Sequence, residues 1–190
     1  MRGILYLTLI VTLTPALSGC VAVVVGGAAT GALIADDRRK TGVYFEDQEI
    51  ELRGFNRIRG DYPHASVNVS VTSFNHSVLL TGQAPDEATK SKVGEVIKGI
   101  PNVRKVYNEI AISGVPSLTS AANDSALTTE VKAKLADRKG VRFTHVKVVT
   151  ESGVVYLMGL LTHAEADVAA RSAATTDGVV RVVKVVEYID

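Results

Sequence analysis

The chain has 190 residues, of which 21 are lysine or arginine and 20 are aspartate or glutamate. Residues 1–19 contain only one of these charges, Arg2, so the remainder carries 20 basic and 20 acidic side chains (21 less one, against 20). A neutral protein has no global field that recruits nucleic acid, and we predict no nucleic-acid partner. The length suits one or two small domains, and one cysteine excludes a disulfide within the chain.

The N-terminus has the pattern of a secretory signal peptide. Arg2 precedes an apolar run over residues 4–13 that is interrupted only by threonines. Leu17-Ser18-Gly19-Cys20 follows and resembles the lipobox of bacterial lipoproteins, which implies cleavage before Cys20 and acylation of its thiol. The alternative, a buried free thiol, gives no reason for a cysteine directly after a signal peptide.

The next segment predicts a lipidated tether over residues 20–45. Because Val21 and not aspartate follows the cysteine, the resemblance implies sorting to the periplasmic face of the outer membrane. Residues 21–35 are apolar but too few to span a bilayer after cleavage. Alternatively, the small residues Gly27 and Gly31 pack on a partner helix or lie in the lipid interface. Charges over residues 36–40 break the apolar pattern, and we expect the folded part to start near Tyr44.

An internal repeat organises the rest of the chain. A shift of 77 positions superimposes Val78-Leu79-Leu80-Thr81-Gly82 on Val155-Tyr156-Leu157-Met158-Gly159, and Val103-Arg104-Lys105-Val106 on Val180-Arg181-Val182-Val183. The sequence therefore predicts two copies of one module, at residues 46–112 and 124–190, joined by a linker at 113–123.

Each copy predicts the order αββαβ. The opening helix is clearest in the second copy, where Leu127, Val131 and Leu135 form an apolar stripe after the capping candidate Asp124. Alternating strands joined by tight turns follow, at Ser73 to Ser77 in the first copy and at Glu151-Ser152-Gly153 in the second. We expect an α+β fold of two modules, each a three-stranded mixed sheet that buries its apolar side once, under two helices on one face.

The second helices and the strand ends carry further signals. Pro85-Asp86-Glu87 suits a first helical turn, and Thr162 with Glu165 has capping-box spacing. Gly99 and Gly178 are predicted to end these helices. Gly82 and Gly159, at equivalent strand ends, predict close approach of a helix or turn.

The modules resemble the BON domain family. Its Gly-x-Val-x-Leu-x-Gly signature is nearly whole in Gly153-Val154-Val155-Tyr156-Leu157-Met158-Gly159, whereas the first copy has His76 in place of the first glycine, which leaves its turn type open. Together with the lipobox, Val106-Tyr107-Asn108-Glu109-Ile110 and Ala122-Asn123-Asp124 resemble outer-membrane lipoproteins with two BON modules.

No catalytic pattern is present. The four histidines, at positions 64, 76, 145 and 163, have no carboxylate or cysteine at ligand spacing, and no nucleophile elbow, phosphate loop or dinucleotide fingerprint occurs. We predict a protein that is not an enzyme and that has no metal and no cofactor.

The second module carries a local concentration of positive charge. On an ideal helix Lys132 and Lys139 lie on one flank of the apolar stripe, and Glu130 and Asp137 lie on the other. Such a flank can meet anionic headgroups, although charge runs more often only solvate a helix face. The resemblance implies phospholipid contact by the first helix of the second module. The predicted contact residues are Asn123, Asp124, Leu127, Thr128, Val131, Lys132, Lys134, Leu135, Arg138 and Lys139.

Two positions depart from that resemblance. Ala126 stands where a large interfacial aromatic is expected, and Glu130 replaces a basic residue. Both changes predict lipid contact that is weaker or purely electrostatic.

The sequence supports two functions. The first is a lipoprotein whose second module binds anionic phospholipid, such as phosphatidylglycerol, and supports envelope integrity. The alternative is a scaffold for outer-membrane assembly proteins, which would pair with an exposed edge strand such as Val179-Val180-Arg181-Val182-Val183.

Overall fold

The computed structural model of the chain describes residues 36–62, 67–113 and 118–190. The predicted signal peptide, Cys20 and the tether up to residue 35 lie outside these residues.

The first module contains two helices and four strands. They are α1 (Thr41–Asp61), β1 (Asn68–Phe74), β2 (Ser77–Ala84), α2 (Glu87–Lys98), β3 (Lys105–Asn108) and β4 (Ala111–Ile112). Strands β3 and β4 both run parallel to β2, and Glu109 donates its backbone N–H to the Leu80 carbonyl between them. They are therefore one closing strand with an interruption.

The second module has the same order. It consists of α3 (Leu118–Ala136), a 3₁₀ turn (Phe143–His145), β5 (Lys147–Glu151), β6 (Val154–Leu161), α4 (His163–Ala174) and β7 (Arg181–Tyr188). In each sheet the hairpin is antiparallel and the closing strand pairs parallel with the second hairpin strand. The predicted α+β fold, with αββαβ order and mixed sheets, is confirmed.

One face of each sheet packs under the two helices of its own module. The first of these cores contains Ile50 and Ile58 of α1, and the second contains Val131 and Leu135 of α3. Most of the remaining apolar members come from the sheets and from the second helix of each module, and a few, such as Ile100 and Val141, come from loops. They include Val78, Leu80, Val93 and Ile97 in the first core, and Val155, Leu157, Ala166 and Ala169 in the second.

The opposite faces of the two sheets pack against each other. Phe74, Leu79, Tyr156, Met158 and Val185 form this third core. The sequence predicts one buried face per sheet, and that expectation is wrong. The consecutive apolar residues Val78 to Leu80 in β2 and Val154 to Met158 in β6 indicate this second buried face. A strand that is buried on both faces does not alternate between apolar and polar residues.

The modules are packed with their ends reversed. Lys147, at the start of β5, bonds Glu51 and the Ser73 carbonyl near the turn of the first hairpin. Gln83, near the end of β2, bonds Glu151 beside the turn of the second hairpin. Each hairpin turn therefore lies near the open end of the other module's hairpin.

Several local expectations need correction. Helix α1 begins at Thr41, inside the range predicted as tether, and α3 begins at Leu118, inside the predicted linker, so Asp124 lies within a helix and is not its cap. Asp86 caps α2 by accepting from the Thr89 N–H, which puts Pro85 outside the first turn.

Of the three remaining predictions about helix ends, two are confirmed and one is wrong. Gly99 is the C-cap of α2, but α4 ends at Ala174, before Gly178. The capping box of Thr162 and Glu165 is confirmed.

Gly82 and Gly159, each the third residue from the end of its strand, allow close backbone approach in both modules. A Cβ on Gly82 would lie 2.0 Å from the Asn68 carbonyl oxygen, and one on Gly159 would lie 2.6 Å from the His145 carbonyl oxygen. Asn68 and His145 are themselves 77 positions apart, so the repeat extends to this contact. Only Gly82 also has a positive φ, of 112°.

Candidate functional site

The opening helix of each module bonds its hairpin turn through one buried aspartate. Asp124 accepts the backbone N–H groups of Ser152 and Gly153 at 2.7 and 2.8 Å. Asp47, 77 positions earlier, accepts those of Asn75 and His76 at the same two distances. This pairing is the structural role of Asp124, which the sequence pattern did not reveal.

Both hairpin turns have the same left-handed backbone. The φ angles are 51° at Asn75 and 64° at His76, against 51° at Ser152 and 75° at Gly153. The turn type that the sequence left open in the first copy is therefore that of the second, even though His76 replaces the glycine.

Three of the predicted lipid-contact residues are buried inside the second module. Val131 and Leu135 are fully buried in its core, and Asp124 is held by the turn. They shape helix α3 from within and do not touch a bilayer in this fold. Leu127 is half-buried near Gly178, and the half-buried Thr128 hydroxyl donates to that of Thr150.

The basic side chains divide into engaged and free groups. Lys134 donates to the Thr175 carbonyl at 2.8 Å, and Arg142 pairs with Asp36. In the described part of the chain, the side chains of Lys132, Arg138 and Lys139 are exposed and make no ion pair or hydrogen bond, although the Arg138 backbone N–H donates to the Leu135 carbonyl. Because α3 ends at Ala136, Arg138 and Lys139 lie in the following loop, and the helical flank predicted to join Lys132 to Lys139 is not formed. Asn123 is exposed on α3.

The same loop presents an aromatic side chain that the sequence pattern did not single out. Phe143 opens the 3₁₀ turn after Arg142 and remains 46% exposed. A large apolar side chain among basic residues is the usual composition of an interfacial anchor. Its neighbours could have drawn attention to it, but its exposure is a property of the fold.

The N-terminal segment at residues 36–39, here called the clamp, connects the two modules. Arg38 forms a bidentate pair with Glu165 at 2.6 and 2.7 Å and donates to the Leu160 carbonyl at 2.8 Å. This bond to Arg38 is the main reason why the pKa of Glu165 is lowered to about 2. Asp36 pairs with Arg142 at 2.8 Å and accepts a hydrogen bond from the Thr144 hydroxyl.

Arg39 attaches the clamp to the first module. Its guanidinium bonds Asp47 at 2.7 Å and Asp37 at 2.6 Å, and it lies 4.1 Å from the centroid of the Phe74 ring. Burial alone would lower the pKa of Arg39, but the bonds to the two carboxylates outweigh it and raise the pKa. A buried arginine that is paired and stacked in this way fixes the path of the backbone.

The three histidines within the described ranges are dispersed, and His64 lies outside these ranges. His76 bonds Glu46, His163 stacks on Tyr188 at 3.7 Å, and His145 is buried next to the clamp. Within residues 36–62, 67–113 and 118–190, no three His, Cys, Asp or Glu side chains are grouped so as to hold a metal ion. Among the helices in these ranges, none is long and apolar enough to cross a membrane.

Comparison with known proteins identifies the family. The BON domain family matches residues 47–114 and 123–190. The chain is 39% identical over 175 residues to the outer membrane lipoprotein DolP of Haemophilus influenzae, covering 92% of this chain and 91% of that protein.

Other relatives are more distant. A 21 kDa hemolysin of Actinobacillus pleuropneumoniae is 34% identical, over 80% of this chain and 79% of the hemolysin. The osmotically-inducible protein Y of Escherichia coli is 30% identical, over 80% of this chain and 77% of its own length. Among solved structures, the C-terminal domain of CdsD, a type III secretion protein of Chlamydia trachomatis, has 14% identity and a TM-score of 0.31, covering 73% of this chain and 96% of that domain. The two family matches and the DolP similarity show that this chain belongs to the BON family, as an outer-membrane lipoprotein with two BON domains.

Proposed function

We propose that this lipoprotein is held at the periplasmic face of the outer membrane by acyl chains on Cys20, and that its second module binds anionic phospholipid such as phosphatidylglycerol. The role is binding and not catalysis, and it contributes to envelope integrity. The observation that carries the proposal is the group of free basic side chains Lys132, Arg138 and Lys139 near the end of α3.

Electrostatics supports this assignment. Basic side chains at a negatively charged membrane contribute on the order of 1 kcal/mol each. Three free cations are therefore enough for a weak, salt-sensitive contact. Two acidic side chains are nearby. The Glu130 carboxylate lies 3.4 Å from the Lys134 ammonium group, which offsets its negative charge, whereas the charge of Asp137 opposes the attraction to an anionic membrane. Because the protein is close to neutral overall, the attraction has to be local.

Co-sedimentation with vesicles tests the proposal. Residues 36–190 carry all three cores and lack the predicted anchor. We expect this fragment to bind vesicles that contain phosphatidylglycerol but not purely zwitterionic vesicles. Binding should weaken when salt rises from about 0.05 to 0.5 M, because screening shortens the range of surface charges. Reversing Lys132 and Lys139 to glutamate should reduce binding at least tenfold.

A matched control separates a site from net charge. Lys92 and Lys98 are exposed on α2 of the first module, so Lys92→Glu with Lys98→Glu makes the same charge change elsewhere. We expect this control to bind nearly as well as the unchanged fragment. Equal losses in both double variants, or no binding to anionic vesicles, would contradict the proposal.

A second candidate function, protein binding along a sheet edge, is favoured by β7. In the described part of the chain, β7 pairs only with β6, and Val180 just before it is 78% exposed. An open edge accepts a strand from a partner. Val183→Pro would remove a backbone donor in this strand. If it abolished retention of an outer-membrane assembly protein while vesicle binding persisted, the edge would be the interaction site.

A further inference from the structure

The point at which the N-terminal chain joins the fold identifies one end of the molecule. Through Asp36, the clamp bonds Arg142 and Thr144 in the loop after α3. Cys20 lies sixteen residues before Asp36, a span of about 55 Å even when fully extended. The described chain therefore begins, at Asp36, in contact with the loop after α3 of the second module.

The clamp is built to keep this end in place. Arg38 holds α4 through Glu165 and β6 through the Leu160 carbonyl, and Arg39 holds Asp47 of α1. The Arg39 and Asp47 side chains are 7% and 0% exposed. Bonds to elements of both modules therefore hold residues 36–39 against this end of the fold.

The loop at this end combines charge with an exposed aromatic ring. Arg138, Lys139 and Arg142 lead directly to Phe143, which is 46% exposed. An exposed phenylalanine ring is unfavourable in water, and insertion among acyl chains removes its apolar surface from water. Arg138 and Lys139, whose side chains are not engaged, are the cations of this loop that can meet the phosphate groups.

We infer that Phe143 is a membrane-insertion anchor, and that the clamp orients the loop at residues 138–143 towards the leaflet that holds the acyl chains. This inference rests on the proposed lipid binding and refines it. The contact is the loop at the end of α3 and not the outer face of the helix. Phe143 supplies the interfacial aromatic that Ala126 lacks.

Tryptophan fluorescence tests the inference, because the chain contains no tryptophan. Phe143→Trp and Ala126→Trp each introduce one probe into the full lipidated protein, and Ala126 is exposed on α3. Each variant is reconstituted in vesicles of phosphatidylcholine alone or with phosphatidylglycerol, with and without brominated acyl chains. In the anionic vesicles we expect bromine to quench the Phe143→Trp variant at least twofold more than the Ala126→Trp variant, with a blue shift in the Phe143→Trp variant only.

The outcomes separate the inference from the function on which it rests. Quenching of the Ala126→Trp variant and not of the Phe143→Trp variant would overturn the inference while leaving lipid binding by α3 intact. Quenching that is equally weak in both variants, and that anionic lipid does not increase, would overturn the proposed lipid binding as well.

A second substitution, made in the Phe143→Trp protein, tests the orienting role of the clamp. Glu165→Gln retains an oxygen for the capping box but loses the charge that pairs with Arg38. We expect at least a twofold loss of bromine quenching of the tryptophan probe. The control is Asp167→Asn, which removes an exposed partner of Lys184 on the same helix and should leave quenching unchanged. Unchanged quenching after Glu165→Gln would overturn the orienting role.

Discussion

The two modules share one internal framework but carry different outer surfaces. Asp47 and Asp124 bond equivalent turns, and Gly82 and Gly159 allow equivalent close contacts. On the outer face of α1, Phe45 and Leu52 are 60% and 62% exposed. The positions 77 residues later are the exposed Ala122 and Thr129. Packing constrains the inner positions of both copies, whereas the solvent-facing positions have diverged. The positions equivalent to Lys132, Arg138 and Lys139 in the first copy are Phe55, Asp61 and Tyr62.

The same aspartate also has different surroundings in the two modules. Asp124 accepts two backbone N–H groups, whereas Asp47 accepts the equivalent two together with the Ser73 hydroxyl and the Arg39 guanidinium. The first module therefore holds the clamp through a network that the second lacks. This difference gives unequal effects for matched substitutions.

The largest difference is expected at the paired glycines. Gly82→Ala places a Cβ 2.0 Å from a backbone oxygen at a φ of 112°, so nothing flexible can yield, and we expect a loss of about 5 kcal/mol or more. Gly159→Ala meets the His145 carbonyl at 2.6 Å without a positive φ and should cost about 1–3 kcal/mol. Urea unfolding of both variants measures the difference. Equal losses of unfolding free energy in the two variants would contradict the larger cost assigned to the positive φ and the closer contact at Gly82.

The paired aspartates should differ in the same direction. Asp47→Ala leaves the buried Arg39 without one of its two carboxylates, and turn donors unpaired, for an expected loss of about 3–5 kcal/mol. Asp124→Ala removes only hydrogen bonds to the turn, for about 1–3 kcal/mol. The free energy of unfolding from urea titrations again gives the comparison. A larger loss from Asp124→Ala would contradict the role assigned to Arg39.

The smallest effect concerns the clamp and its pH dependence. The folded-state pKa of Glu165 is lowered to about 2, because Arg38 bonds its carboxylate. The resulting stabilisation is complete above the ordinary value of about 4.5 and is lost as pH falls towards 2. We expect Glu165→Gln to lower Tm by a few degrees between pH 7 and 5. The gap to the unchanged protein should close as pH approaches 2, and a gap that widens in acid would contradict the assignment.

Local patterns and the repeat were enough to predict the modules, but not the contacts between them. The capping box at Thr162 needs residues only three positions apart, and the shift of 77 aligns the strands directly. By contrast, Arg38 and Glu165 are 127 positions apart, and nothing near either residue indicates the other. The consecutive apolar residues of β2 and β6 indicate that both faces of each strand are buried, but they do not indicate which part of the molecule covers the second face. The apolar stripe correctly predicts that Val131 and Leu135 are buried, so these two side chains do not belong to the lipid-contact set.

Hydrogen exchange of the full lipidated protein tests most directly whether the second module, and not the first, contacts anionic lipid. The protein is compared in bilayer discs of phosphatidylcholine alone and in discs that also contain phosphatidylglycerol. Lipid contact by the second module alone predicts that anionic lipid slows exchange over residues 132–146, with no change in α1 (Thr41–Asp61). Protection of α1 without protection of the loop at residues 138–143 would contradict it and assign the membrane contact to the first module.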